Sequence, residues 1–416
     1  MTIVECFESA PYDNMLSTLT ANPDKLIFIG VESVMENVLP VYKRILKEKG
    51  YKTQIESRNI IKNSLQNIID TVTDIAKTHT DCIFDITGGE DLVLLAVGIV
   101  FERLKNTHPF KMQRFNINTG KLIDCDLDDE VIFEGKYSVF INDLISLHGG
   151  VVVPEDPQPD QEITADDIDP IWDVAKEEPI SWNKFNSYLN EFENKGGIES
   201  DELIINLNLS LIRDSVVNYN EKLQTITAFL EKLYKNRVLN KYAVTDTELY
   251  YEIKNAFVKK ALKKAGNVLE LKVFLESRDL CDKGKPYFSD CFLSTTIDWD
   301  GVIHDRKDTK KDTRNEIDVM LMKGLVPIFI SCKNGTVDED ELYKLDTVAT
   351  RFGGKHAKKI LVATKFDTGS VSSDNHLIQR ANDMKITFIE NAADYSKKEW
   401  KKLVKGFPLN TAIEHK

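Results

Sequence analysis

The feature that most constrains the fold is a regular alternation of short apolar segments with amphipathic helical patterns early in the chain. Strands and helices that alternate in this way form a parallel sheet with helices on both of its faces. We therefore predict a Rossmann-like α/β domain over residues 1–150. The predicted strands are 26–31, 51–57, 81–86 and 112–118, and the predicted helices are one that ends near Gly50 and two at 60–77 and 91–104.

The next part of the chain, residues 151–245, predicts an acidic linker and a helical connector. Ten acids and one lysine lie between Glu155 and Glu178, and five prolines lie in or around this stretch. Little apolar surface and many prolines predict an exposed linker. Residues 181–245 show helical patterning, which predicts a small helical or winged-helix connector.

The last part, residues 246–416, predicts a second α/β domain with a mixed sheet and flanking helices. Its first element is a long helix, and a basic loop at 304–314 separates its first two strands. The predicted helices include 251–277 and 338–352, and the predicted strands include 287–297, 315–322, 326–333 and 385–390.

Charge and composition restrict the partners of the chain. The net charge is −13, yet residues 251–416 carry 30 Lys and Arg against 25 Asp and Glu, so a nucleic acid is attracted to this part alone. The six scattered cysteines have no CxxC spacing, which predicts neither a zinc site nor disulfides and is typical of a reducing cytoplasm. No apolar run reaches the roughly 18–20 residues of a membrane span, so we expect a cytoplasmic protein without a membrane partner.

The first candidate site lies in two loops that follow predicted parallel strands. One loop contains Gly30 and Ser33, and the other contains Thr87, Gly88 and Gly89. Ligands of open α/β sheets bind beyond the carboxyl ends of the strands, where glycine N–H groups and helix N-termini receive anions. Spacing alone leaves a second interpretation open, in which the two glycines form only a tight turn.

The second candidate site combines carboxylates with a lysine on two adjacent strands. Residues i and i+2 share a face of a strand, so Glu316 points the same way as Asp318, and Ser331 the same way as Lys333. A short connection between the strands brings the two pairs together, and Glu270 lies on the preceding helix. Carboxylates hold Mg²⁺ or Mn²⁺, and a lysine orients or activates water, as metal-assisted phosphodiester hydrolysis requires.

The first pair of loops resembles those of CARF domains, the Rossmann-like sensors of cyclic oligoadenylates associated with CRISPR systems. The resemblance is carried by IGVESVMENVLP, by DITGGEDLVLLA and by DLISLHGG at 143–150. It implies cyclic tetra-adenylate as the ligand, bound across a homodimer. The residues that it implies as ligand contacts are Gly30, Val31, Ser33, Asn37, Thr87, Gly88, Gly89 and Glu90.

The second site resembles the PD-(D/E)xK restriction-endonuclease-like nucleases that are fused to CARF domains. The resemblance runs through Glu270 in a GxxLE motif, the strand NEIDV, and SCKNG at 331–335. It implies Glu270, Glu316, Asp318, Ser331 and Lys333 as catalytic residues. Ser331 departs from the motif, because related nucleases have an acid there. The predicted replacements for that acid are Glu341, then Glu316, then Asp346, and the predicted metal ligands are Asp318, Glu270 and Glu341.

Together these resemblances predict a cytoplasmic homodimer of the type III CRISPR defence kind. Its domains are a CARF sensor at 1–150, a linker and connector at 151–245, and a nuclease at 246–416 that cleaves DNA, RNA or both. Two alternatives remain open. One is an unregulated repair or restriction nuclease, and the other is a nucleotide-responsive regulator that binds nucleic acid through an inactive nuclease fold.

Overall fold

The structure is a computed structural model, and it describes most of the chain. The described residues are 1–7, 11–116, 121–127, 130–134, 139–153, 163–201, 203–263, 266–301, 313–335, 337–366 and 371–409. Among them, no helix is both long enough and apolar enough to cross a membrane.

The N-terminal domain is built on a seven-stranded sheet with the order β3-β2-β1-β4-β5-β6-β7. The five strands from β3 to β5 are parallel, and β6 and β7 continue the sheet in antiparallel fashion. Its elements are β1 (Thr2–Cys6), α1 (Asp13–Ala21), β2 (Lys25–Gly30), α2 (Glu32–Glu48), β3 (Gln54–Asn59), α3 (Leu65–Thr78), β4 (Cys82–Asp85), α4 (Asp91–Leu104), β5 (Lys111–Asn116), β6 (Lys121–Asp124) and β7 (Glu130–Glu134).

The predicted α/β class is confirmed, but the central strand of this sheet was missed. β1 lies between β2 and β4, and all five of its residues are buried. Its apolar pattern is interrupted by Glu5, whose buried carboxylate accepts hydrogen bonds from Asn14 and Thr18 of α1. The four predicted strands are parallel as expected, and the antiparallel strands β6 and β7, which were not predicted, extend the sheet.

The middle of the chain contains helices and a four-stranded antiparallel sheet with the order β11-β12-β10-β9. Its elements are α5 (Ile141–Leu147), β8 (Val151–Val152), α6 (Ala165–Ala175), α7 (Pro179–Gly196), β9 (Gly197–Asp201), β10 (Ile204–Asn208), α8 (Leu209–Arg213), α9 (Tyr219–Lys235), β11 (Leu239–Val244) and β12 (Glu248–Ile253). Residues 204–208, in a segment predicted to be helical, form a strand whose side chains alternate between buried and partly exposed positions.

The prediction of an exposed linker was wrong for the described residues that follow 162. Helix α6 buries Ile168, Ile171 and Trp172, and the Trp172 ring lies 6.3 Å from that of Trp400 near the C-terminal end. The acids of α6 leave one face of the helix apolar, and this face packs into the core. Likewise, β8 at the start of the predicted linker pairs with a strand of the C-terminal sheet.

The C-terminal domain contains a six-stranded mixed sheet with the order β19-β18-β17-β16-β15-β8. Its elements are α10 (Ala256–Leu262), α11 (Asn267–Arg278), β13 (Cys281–Asp282), β14 (Lys285–Pro286), β15 (Asp290–Asp298), β16 (Arg314–Lys323), β17 (Val326–Lys333), α12 (Glu339–Gly353), β18 (Lys358–Ala363), α13 (Val371–Asp383), β19 (Ile386–Ile389) and α14 (Lys397–Gly406).

The predicted long helix at 251–277 is replaced by the end of β12 and two separate helices. Asn255 begins α10, because its side chain accepts a hydrogen bond from the Val258 amide at 2.9 Å. Gly266 then precedes α11. Most of the predicted basic loop at 304–314 lies outside the described residues.

The N-terminal and C-terminal domains are in direct contact through the start of α1. The Tyr12 hydroxyl donates a 2.6 Å hydrogen bond to the carbonyl of Leu325, in the turn between β16 and β17. At the first position of α1, Asp13 forms ion pairs with Lys355 at 2.5 Å and His356 at 3.1 Å, just beyond α12. The two domains therefore share a polar junction beside a continuous apolar core.

Candidate functional site

The centre of the candidate active site is Asp318 on β16. Its Oδ2 accepts hydrogen bonds from the Cys332 amide at 2.6 Å and from the Ser331 hydroxyl at 3.2 Å, both on β17. Burial raises the pKa of Asp318, and the charge of Glu316 adds to this, whereas the Cys332 amide and the Lys333 charge oppose it. The antiparallel hairpin from β16 to β17 thus brings Asp318 and Ser331 together, as the two-residue period predicts.

Glu270 approaches the same region from α11. The Ser294 hydroxyl donates a hydrogen bond to Glu270 Oε2 at 3.2 Å. Leu293 pairs with Val319 and Thr295 with Ile317, so Ser294 stands opposite Asp318 in the register of β15 and β16. Glu270 therefore contacts β15 at the residue opposite Asp318 in register. After burial itself, the charges of Asp318 and Glu270 both raise the pKa of Cys332.

Lys333 and Glu341 form the third part of the site. Lys333 Nζ lies 2.8 Å from Glu341 Oε2, and Lys344 Nζ lies 3.3 Å from Glu341 Oε1. Burial opposes the charge of Lys333, but the hydrogen bond and the charge of Glu341 outweigh it and raise the pKa of the lysine. In return, the two lysines overcome burial and lower the pKa of Glu341. Both groups of the Lys333–Glu341 pair are therefore charged near neutral pH.

These side chains line a small cavity of about 80 Å³ between β16, β17 and α12. The structure brings five of the predicted residues to this cavity: Glu316, Asp318, Ser331, Lys333 and Glu341. Glu316 is exposed to solvent, whereas Asp318 is partly buried. Asp346, the third predicted replacement for the missing acid, forms an ion pair with Lys359 at 2.5 Å instead.

The donor set of this cavity is chemically suited to a hard divalent cation. Carboxylate oxygens are the ligands that Mg²⁺ and Mn²⁺ prefer, and a cation beside Asp318 offsets the burial of its charge. Within the described residues, however, no three His, Cys, Asp or Glu side chains are gathered closely enough to hold a metal ion. Glu341, a predicted metal ligand, is instead paired with two lysines.

The predicted sensor loops lie on either side of the end of β1. A Cβ atom added to Gly30 would lie 2.8 Å from Cβ of Phe7, and one added to Gly89 would lie 2.8 Å from Cβ of Cys6. Gly89 also has a φ of +126°, a conformation that side chains disfavour. These two glycines therefore allow both loops to pack closely against Cys6 and Phe7 at the end of β1. The parallel strands β2 and β4 place both loops at the same edge of the sheet.

Other predicted ligand residues have local partners. The Thr87 hydroxyl accepts a 2.7 Å hydrogen bond from the Phe115 amide, and Glu90 lies 3.6 Å from Lys62. Ser33 and Asn37 are exposed in the first turns of α2, with Val31 at its start and Gly88 buried in the second loop. Ser33 and Asn37 line a cavity that does not include residues 87–90.

Two residues that were not predicted as ligand contacts also line that cavity, one from each domain. Arg351 at the end of α12 and His148 at the end of α5 lie on its wall beside Ser33 and Asn37. His148 lies in the DLISLHGG segment at 143–150, whereas Arg351 belongs to no quoted motif, and the packing of the two domains places the two residues together. The glycine pairs that follow them, at 149–150 and 353–354, were the available signal.

The chain is a two-domain protein with a nuclease-like site. It joins a Rossmann-like domain to a mixed sheet, and two neighbouring strands of that sheet carry Asp318 and Lys333. Residues 259–404 match the family described as "Card1-like, endonuclease domain". No protein with a curated description matches the chain in sequence.

Two solved structures share the fold over almost the whole chain. Protein VC1899 from Vibrio cholerae is 18% identical, with 99% of each chain covered and a TM-score of 0.70. Can2 from Sulfobacillus thermosulfidooxidans, solved in complex with cyclic tetra-adenylate, is 13% identical, with 97% of this chain and 99% of that chain covered and a TM-score of 0.66. These comparisons confirm the resemblance to CARF-domain nucleases. The family match supports the endonuclease domain, and the shared fold supports the two-domain architecture.

Proposed function

We propose that this chain is a metal-dependent nuclease that a cyclic oligoadenylate activates in type III CRISPR antiviral defence in the cytoplasm. The observation that carries the proposal is the placement of Asp318, Ser331 and Lys333 on one hairpin within a Card1-like endonuclease domain. The fold shared with the cyclic tetra-adenylate complex of Can2 supports the activator.

The proposed chemistry is hydrolysis of a phosphodiester bond in DNA, RNA or both. Asp318, with Glu270 behind Ser294, would hold Mg²⁺ or Mn²⁺, which supplies charge stabilisation and an acidic bound water. Lys333 orients the attacking water and balances the developing negative charge, for which its raised pKa keeps it protonated. Glu316 is exposed at the mouth of the cavity, where it is positioned to contact solvent or a metal-bound water.

The proposed activator is cyclic tetra-adenylate, which the loops at 30–33 and 87–90 and Asn37 would contact. Such a ring has twofold symmetry, so we propose a homodimer in which two copies of each loop bind one ring. The placement of both loops at one sheet edge supports this arrangement. The ligand can activate the enzyme only by binding one conformation more tightly than another.

Helix α12 offers a direct connection between the two sites. Its first turn carries Glu341, which is bonded to Lys333, and its last turn carries Arg351 beside the sensor helix α2. Ten residues separate these positions, or about 15 Å along a helix. A shift of α12 on ligand binding would therefore change the contact that holds Lys333.

The experiment that tests this function is cleavage of plasmid DNA, single-stranded DNA and single-stranded RNA with Mg²⁺ or Mn²⁺ and cyclic tetra-adenylate. We expect wild-type protein to cleave at least one of these substrates, Lys333→Ala to be inactive, and chelation to abolish cleavage. Lys401→Ala changes a lysine exposed on α14 and serves as the matched control. Cleavage that persists in Lys333→Ala would refute the assigned site.

The second candidate function is a nucleotide-responsive protein that binds nucleic acid without cutting it. The replacement of the motif acid by Ser331, together with the engagement of Glu341 by two lysines, favours this candidate. It predicts retained nucleic-acid binding and no product with either metal. An unregulated nuclease would be recognised by equal cleavage with and without the activator.

A further inference from the structure

The cavity between the sensor and nuclease domains has the features of a nucleotide subsite. It has a volume of about 560 Å³, within the roughly 300–1,000 Å³ of small-molecule sites. Its walls come from α2, from the end of α5 and from the end of α12, so both domains contribute to it. The volume suits one nucleotide unit of a larger ring.

Arg351 gives this cavity a positive charge. The side chain is exposed on the cavity wall, close to Gly149, where an added Cβ would lie 3.8 Å from Arg351 Nη2. The N-terminus of α2, a helix of 17 residues, also faces this region through Ser33 and favours negative charge. Asp13, a buried acid whose charge acts on His148, is paired with Lys355 and His356. The cavity is therefore suited to a phosphate group.

His148 adds a hydrogen-bond acceptor to the same wall. The side chain is only 8% exposed, and its Nδ1 donates to the carbonyl of Leu144 at 3.0 Å, which leaves Nε2 as the acceptor of a neutral ring. Nε2 has no hydrogen-bond partner among the described residues. Burial lowers the pKa of His148 and so favours this neutral form. A nucleotide carries hydroxyl and amino groups that donate to such an acceptor.

We propose that this cavity binds one phosphate-bearing nucleotide unit of the activator, with Arg351 on the phosphate and His148 Nε2 accepting from a hydroxyl or amino group. This inference rests on the proposed function and goes beyond it, because it makes the nuclease domain itself part of the ligand site. The activator then contacts α12 directly, at the end of the helix opposite to Glu341.

The test compares wild type with Arg351→Gln by calorimetric titration of cyclic tetra-adenylate. Arg103→Gln is the matched control, since Arg103 lies exposed in the last turn of α4, as Arg351 does in the last turn of α12. We expect Arg351→Gln to weaken binding at least tenfold, as loss of a charged hydrogen bond does, and Arg103→Gln to leave it unchanged. Arg351→Lys should restore part of the affinity.

Adenosine monophosphate, titrated into the same proteins, separates this inference from the proposed function. Equal affinities of wild type and Arg351→Gln for the ring would overturn the subsite and leave the activator assignment intact. If wild type does not bind the ring, the activator assignment fails, and Arg351-dependent binding of the monophosphate would still support the subsite. Absence of binding to both ligands would overturn the subsite as well.

Discussion

Replacing Ser331 with aspartate tests whether this group of carboxylates is built around a divalent cation. The Ser331 hydroxyl lies 3.2 Å from Asp318 Oδ2, so an aspartate at this position places a second carboxylate within about 4 Å of the first. Two unit charges about 4 Å apart repel by about 4 kcal/mol at an effective dielectric constant of about 20. The substitution also restores the acid of the (D/E)xK motif that this chain lacks.

Without metal, we expect Ser331→Asp to lower the free energy of unfolding at pH 8 by about 2–4 kcal/mol. Burial already raises the pKa of Asp318, so the new charge raises it further, and the paired acids share a proton more readily at low pH. Most of the destabilisation should therefore disappear at pH 5. With Mn²⁺, the variant should gain more stability than wild type, because it binds the ion more tightly.

The assay is denaturant-induced unfolding in EDTA or in Mn²⁺, at pH 5 and pH 8. Ser331→Asn introduces a side chain of nearly the same shape as aspartate but without its charge. This variant therefore separates steric effects from the charge repulsion between positions 331 and 318. Equal unfolding midpoints for Ser331→Asp and Ser331→Asn in EDTA at pH 8 would refute the claim that position 331 faces the Asp318 carboxylate. Equal stabilisation of both variants by Mn²⁺ would refute the claim that the cavity is a cation site.

Three further predictions concern the active site and the sensor domain. Because burial raises the pKa of Asp318, the cleavage rate should begin to fall on acidification at a higher pH than it would with an ordinary aspartate. Asp318→Asn should reduce the cleavage rate at least about a hundredfold. A pH–rate profile of both proteins measures the two effects. Burial and the charge of Asp85 raise the pKa of Glu5, so the stability that its neutral form contributes is complete below about pH 4 and is lost as the pH rises through the raised pKa. The free energy of unfolding of wild type should therefore fall over this pH range, and that of Glu5→Gln should not, as denaturant-induced unfolding measures. Gly89→Ala should destabilise the domain by about 1–3 kcal/mol, whereas Gly98→Ala, which meets nothing within 4 Å, should be neutral or stabilising; thermal unfolding of both tests the packing of the loop on β1.

The sequence predicted the α/β class and most strands of the parallel part of the N-terminal sheet, because hydrophobic periodicity is a local property. It failed at β1, where Glu5 interrupts the apolar pattern of the strand and, although buried, accepts hydrogen bonds from side chains of α1. It failed again at α6, whose acids suggested exposure although its apolar face packs beside α11 and α14. In both cases, tertiary contacts outweigh the local composition.

The same distinction explains what was predicted of the site. The alternation of side chains along a strand and a short hairpin suffice to place Asp318 beside Ser331, and the structure confirms this pairing. The contact of Glu341 with Lys333 depends on how α12 packs over the sheet, which no local spacing specifies. The approach of Arg351 to Ser33 depends on the docking of two domains, so no motif could reveal it.

In the proposed function, a nucleotide bound to the N-terminal domain controls cleavage in the C-terminal domain. The most direct test is the initial rate of cleavage at one enzyme concentration in Mn²⁺, measured with and without saturating cyclic tetra-adenylate. We expect at least about a hundredfold increase with the ligand, equivalent to about 2.7 kcal/mol of coupling between the two sites. Equal rates under the two conditions would contradict it.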